Sequence, residues 1–195
     1  MFDFLDGWHV RLYTTSCQIS FTAITDSGCK FSQDFLFFVS ESRLMDIENI
    51  VDRIEIEDFF SRYARAVDTR DWDLYRTLFT EDAHIDYSSS GGSVGNLDET
   101  VSFLSKALDM FEMSQHLITN IELLHREENE AHVLALFNNP MRLKGGSVWF
   151  VGGKYKHEMI KSTSGWRSKK LIEETLWFDR SPFGDPTKNN AEEKE

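Results

Sequence analysis

The chain has 195 residues, a formal charge of −12 and a hydrophobic share of 41%, with five Trp and sixteen Phe. That length and content suit one packed domain with an appendage. The charge excludes the basic surface that nucleic acid needs and disfavours an anionic membrane, and no apolar run approaches the roughly 20 residues of a membrane-spanning helix.

Residues 1–44 are rich in Phe, Ser and Thr, carry an apolar run from Phe35 to Val39 and lack a helical period, so parts of them read as strands. Asp3 and Asp6 stand where a secretory signal would be basic, which makes a cytoplasmic location the default expectation. Cys17 and Cys29 have no Cys or His at metal-ligand spacing and read as reduced thiols rather than as a bridge or a zinc site. Met45 then opens a charged, helical texture. It reads as the natural beginning of a domain over residues 45–180, with residues 1–44 an extension or an upstream-start artefact.

From Asp46 to Asp68 the apolar residues Ile47, Ile50, Val51, Ile54, Phe60, Tyr63 and Val67 fall close to helical spacing. Asp68 lies near the C-terminal end, where the helix dipole disfavours a carboxylate; a solvated chain end and a buried functional acid both account for it. Asp71 is placed to cap a short helix, Trp72 to Phe79. A turn, a strand from Ala83 to Tyr87 and the loop SSSGGSVGN follow. Asn96 with Glu99 predicts a capping box for a helix running to about Phe111.

Four strands are predicted next: Gln115 to Leu124, Ala131 to Lys144, Ser147 to Lys161 and Trp166 to Asp179. Three helices followed by such a meander predict an α+β fold, helices packed on one face of a strongly curved antiparallel sheet. On the third of these strands Trp149, Val151, Gly153, Tyr155, His157 and Met159 alternate with Lys154, Lys156 and Glu158, the first set facing the helices and the second water or a partner. Gly152-Gly153 predicts a bulge or bend. Residues 181–195, ending in AEEKE, read as a disordered acidic tail.

Phosphate loop, dinucleotide fingerprint and nucleophile elbow are all missing from the sequence, and no cofactor is expected. Of the six histidines, His125 and His132 flank a polar turn, His84 opens a strand, and His116 and His157 lie within predicted strands. Imidazole titrates near neutrality and suits proton transfer; a carboxylate on its other nitrogen would orient it, and a phenol would polarise a substrate oxygen. Asp68, His116 and Tyr87 supply those residue types, although spacing alone does not bring them together.

From about Asp52 to Asp179 the chain resembles the SnoaL-like superfamily, which shares the cone-shaped fold of nuclear transport factor 2 and scytalone dehydratase. The resemblance is carried by YARAVDTRDWDLYRTLFTEDAHIDY (Tyr63 to Tyr87), SQHLITN (Ser114 to Asn120), GGKYKHEMIK (Gly152 to Lys161) and SGWR (Ser164 to Arg167). Set against the scytalone dehydratase pattern, it implies a pocket acid at Asp68, a carbonyl-polarising tyrosine at Tyr87 and a catalytic histidine at His116, hence a contact between Asp68 and His116. The chain departs from that pattern at Val67, Met141, Gly153 and Tyr155, where the dehydratase is polar.

The reading is therefore a cofactor-independent enzyme of dehydratase or isomerase type acting on a small cyclic or aromatic molecule. Its catalytic residues would be His116, Asp68 and Tyr87; Tyr63, Trp72, Met141, Phe150, Tyr155 and His157 would line the pocket. The alternative is a non-catalytic small-molecule binder or assembly subunit, and self-association through the open sheet face is expected in either case. A metal held by His116, His157 and Asp68 is disfavoured, because two of the three already form the implied pair.

Overall fold

The computed structural model describes the backbone of Asp3–Phe4, Trp8–Thr15, Gln18–Ile24 and Lys30–Gln33, and residues 41–184. Two units divide the chain at Val51 and Asp52. In the first, strands β1 (Asp3–Phe4), β2 (Trp8–Thr15), β3 (Gln18–Ile24) and β4 (Lys30–Gln33) pair antiparallel in that order. The Phe35 to Val39 run, both cysteines and residues 185–195 of the expected disordered tail lie outside the described residues.

Helix α1 (Glu41–Thr69) runs across the division. Ile56, Phe59, Phe60, Tyr63, Ala66 and Val67 are buried, whereas Ile47, Ile50, Val51 and Ile54 are exposed, contrary to the single apolar stripe their spacing suggested. The helix carries two stripes out of phase. Each residue turns it by about 100°, so the series through Ile47, Ile50, Val51 and Ile54 lies on a different face from the series through Ile56, Phe60, Tyr63 and Val67. Asp52 heads the buried series. Burial opposes its charge, but Lys161 (2.5 Å), Trp166 Nε1 (3.0 Å) and Arg126 donate to it and hold its carboxyl below the usual range.

The remaining helices start at their local signals, but the one expected over Trp72 to Phe79 stops at Thr77, and a strand runs through the turn expected after it. Asp71 accepts from Leu74 N and starts α2 (Trp72–Thr77), and the expected capping box of Asn96 and Glu99 opens α3 (Leu97–Ala107). Strands β5 (Phe79–Asp86), β6 (Val94–Gly95), β7 (Phe111–Ser114), β8 (Leu117–Glu127), β9 (Glu130–Leu143), β10 (Val148–Ser162) and β11 (Gly165–Asp179) form one sheet in the order β6-β5-β11-β10-β9-β7, with β8 also on β9. The fold is α+β, as expected, with one parallel pairing, β5 with β11, in an otherwise antiparallel sheet. The strand expected over Gln115 to Leu124 is β8, an unexpected short strand β7 precedes it, and the break between the two falls at Gln115 and His116.

The paired glycines sit at a register shift between β10 and β11, as their sequence implied. A Cβ at Gly153 would stand 2.2 Å from the carbonyl oxygen of Glu174, and one at Gly152 would meet the Trp177 ring. Only glycine lets these strands close so tightly there. Aromatic side chains fill the space beneath the sheet: Phe59, Phe60, Tyr63, Tyr75, Phe79 and Tyr155 are almost fully buried.

Candidate active site

Arg70 organises the end of α1. It adopts a left-handed backbone conformation (φ 58°), which stops the helix, and Asp71 N closes back on Ala66 O at 2.9 Å. Its guanidinium donates to the carbonyls of Asp68, Leu108 and Phe111, each at 3.0 Å. The last turn of α1 is thereby tied to the chain entering β7.

That clamp brings Asp68 to the break between β7 and β8. Asp68 Oδ2 accepts from the backbone N–H of His116 at 2.9 Å, and Oδ1 lies 2.6 Å from His116 Nδ1. Two hydrogen bonds offset the unfavourable end of the helix dipole. With Nδ1 engaged by the carboxylate, Nε2 is the nitrogen left for chemistry. His116 lines a cavity of about 780 Å³.

Tyr87 forms the second polar feature of that cavity. Its hydroxyl lies 2.7 Å from the Tyr63 hydroxyl and 2.9 Å from that of Tyr75. Asn139 Nδ2 donates to the Tyr155 hydroxyl across a long 3.4 Å. Burial foremost pushes all four phenols well above their ordinary range, so they act as neutral donors and acceptors.

Tyr63, Tyr87, Met141 and Tyr155 line the cavity together with His116, while Asp68 stands behind the imidazole. Three expected lining residues do not reach it. Trp72 packs edge-on against Tyr75, and Phe150 lies on the opposite face of β10 from Trp149 and Val151, beneath the Arg180 guanidinium. The alternation that placed Trp149 and Val151 inward required Phe150 to point away. His157 is in the core among Phe59, Phe60 and Tyr63.

The Ser168 hydroxyl donates to Lys170 O, so His157 Nδ1 donates to Ser168 Oγ at 2.9 Å, and Nε2 is left buried without a partner. Burial lowers the His157 pKa to about 3. Among the described residues no group of three His, Cys, Asp or Glu could hold a metal ion.

The cavity also contains residues that the sequence reading passed over. Trp149 and Val151 were legible from the alternation of β10, and Asn139 shares the inward parity of Ala131, Val133, Ala135 and Phe137 on β9. Glu173 was hidden by an irregularity. Trp166 and Ser168 face inward at even positions, the register shifts between Ser168 and Lys170, and the inward residues beyond it are odd: Leu171, Glu173 and Thr175. Burial raises the Glu173 carboxyl, while the Ser90 and Thr175 hydroxyls and the charge of His116 act in the opposite sense.

Comparison with known proteins places this architecture. An uncharacterized protein of Mycobacterium tuberculosis is 29% identical over 137 residues, covering 69% of this chain and 92% of its own length. An aromatic ring hydroxylase, provisionally assigned, from Novosphingobium aromaticivorans is 26% identical with a TM-score of 0.63, covering 72% of this chain and 96% of that one. A provisionally assigned scytalone dehydratase from the same organism shares the fold at 22% identity and a TM-score of 0.63, over 68% of this chain and 89% of its own. Residues 48–172 match the family described as SnoaL-like domain, and the chain belongs to that family.

Proposed function

We propose that the protein catalyses cofactor-independent proton transfer, a dehydration or isomerisation, on a small cyclic or aromatic molecule. One observation carries the reading: an imidazole held by a carboxylate at 2.6 Å on the wall of a cavity of about 780 Å³. His116 Nε2 would take a proton from carbon and return it to the product or to a leaving hydroxyl. Asp68 would orient the ring and stabilise the imidazolium, and the Tyr87 hydroxyl would polarise a substrate oxygen.

Val67, Met141, Trp149 and Val151 make much of the wall apolar, which favours a less oxygenated substrate than scytalone. The ring hydroxylase and dehydratase assignments of the structural relatives agree with an aromatic or cyclic substrate class. A thermal-shift screen of cyclic ketones and alcohols finds ligands, and deuterium uptake at carbon by each hit in heavy water tests the chemistry. Exchange by the wild type that His116→Ala abolishes is the expected result; ligand binding with no exchange supports the non-catalytic binder instead.

A second reading concerns assembly. Leu136 and Leu176 are exposed on the sheet, and Lys154, Lys156 and Glu174 accompany them. We propose that this face joins two copies of the chain. Light scattering should report a dimer that Leu136→Glu dissociates, and a monomeric wild type would refute it.

A further inference from the structure

Glu173 takes no part in the proton transfer described above, yet it faces the same cavity. It projects from β11 beside its cross-strand partner Tyr155, is half-buried and lines the cavity. Its Oε1 accepts from Thr175 Oγ1 at 3.1 Å, and the Ser90 hydroxyl, which donates to Tyr87 O, interacts with the same carboxyl. Among the described residues no Lys or Arg side chain pairs with it, in contrast to Glu158 and Glu174, which meet Lys170 and Lys156. The titratable groups that act on it or feel it are His116, Asp86 and the phenols of Tyr63, Tyr75 and Tyr155.

We propose that Glu173 is a specificity-determining residue of this cavity, donating a hydrogen bond as a neutral acid to a carbonyl oxygen of an uncharged aromatic ligand. The inference rests on the cavity being the ligand site of the proposed function. A carboxylate beside apolar walls and four neutral phenols, without a cation of its own, is costly to ionise, and burial accordingly raises its pKa. The protonated group donates one hydrogen bond where the ionised group can only accept. A ligand bearing its own carboxylate would meet no lysine or arginine among the residues lining the cavity, so uncharged ketones are selected over acids of the same shape.

Binding of 2-acetylnaphthalene, a ketone that does not titrate, can be measured on the full chain from about pH 5 to about pH 9. Wild-type affinity should fall about tenfold or more as the pH rises and the donor is lost, and 2-naphthoate should bind about tenfold or more weaker at low pH. Glu173→Gln keeps an N–H donor and should bind the ketone independently of pH. His116→Ala should keep a pH dependence, displaced to higher pH because the charge that favours ionisation of Glu173 is gone, which separates this inference from the proton-transfer reading. Infrared spectra should show a protonated-carboxyl C=O band in the wild type that fades with rising pH and is missing from Glu173→Gln. A missing band in the wild type, a pH dependence that disappears in His116→Ala, an unchanged profile in Glu173→Gln, or no ketone binding at any pH overturns the proposal. If Glu173→Gln does not fold, the wild-type band and its titration decide the matter. Normal ketone binding without deuterium exchange would defeat the proton-transfer reading and leave this one standing.

Discussion

His116 and Asp68, 48 positions apart in sequence, meet through two hydrogen bonds: the backbone N–H of His116 to Oδ2 at 2.9 Å and its ring Nδ1 at 2.6 Å from Oδ1. The backbone bond makes the pairing part of the fold, because it positions the strand break that carries the imidazole. Its removal should therefore be felt in stability as well as in any chemistry.

For that reason His116→Ala and Asp68→Ala should differ. The first should lower deuterium exchange or turnover by about 10²–10⁴ with the fold intact. The second also leaves the His116 N–H without its partner, and should cost about 1–3 kcal/mol in urea unfolding. Equal stability of the two variants would contradict the dual role of Asp68.

Tyr87→Phe removes the hydroxyl that Tyr63 and Tyr75 share. Two buried hydroxyls lose their common partner, so a loss of about 1–3 kcal/mol is expected, read from the denaturation midpoint. Tyr75→Phe leaves the Tyr63–Tyr87 bond in place and should cost less.

Gly153→Ala and Gly152→Ala probe the bend of the sheet. At Gly153 the new Cβ meets backbone, the Glu174 carbonyl at 2.2 Å, which cannot move without opening β10 from β11. At Gly152 it meets the Trp177 ring, 40% exposed and free to shift. Gly153→Ala should cost about 1–3 kcal/mol or prevent folding, with Gly152→Ala the milder change.

Acid sensitivity should come in part from His157. Its pKa is lowered from 6.5 to about 3 on folding, so the unfolded chain binds the proton more readily. The stability associated with the neutral ring is complete above about pH 6.5 and is lost as the pH falls towards about 3, at up to about 1.4 kcal/mol per pH unit. His157→Gln should flatten the stability profile in that window. An unchanged slope would show that the buried ring does not carry this dependence.

Much of the fold was legible in the chain because it is written in short-range signals. Asp71 and the pair Asn96 and Glu99 announce their helices through hydrogen bonds that span three residues, and the alternation along β9 and β10 identifies their inner faces. The resemblance spanning Tyr63 to Tyr87 and Ser114 to Asn120 pointed to Asp68, Tyr87 and His116 together. Phe150 was misassigned by neglecting the same alternation that placed Trp149 and Val151 correctly.

Tertiary structure decided what local pattern could not. A two-residue offset separates the stripes of α1, so burial of one and exposure of the other depended on where the sheet packs. A register shift near Ser168 reversed the parity of β11 and turned Glu173 into the cavity, and Arg70 drew the end of α1 to the β7–β8 break. Sequence by itself determined which residues could form helices, strands and caps, since those preferences arise within a few bonds. Which of their side chains share a cavity depended on bulges and long-range hydrogen bonds, whose geometry exists only once the sheet has closed.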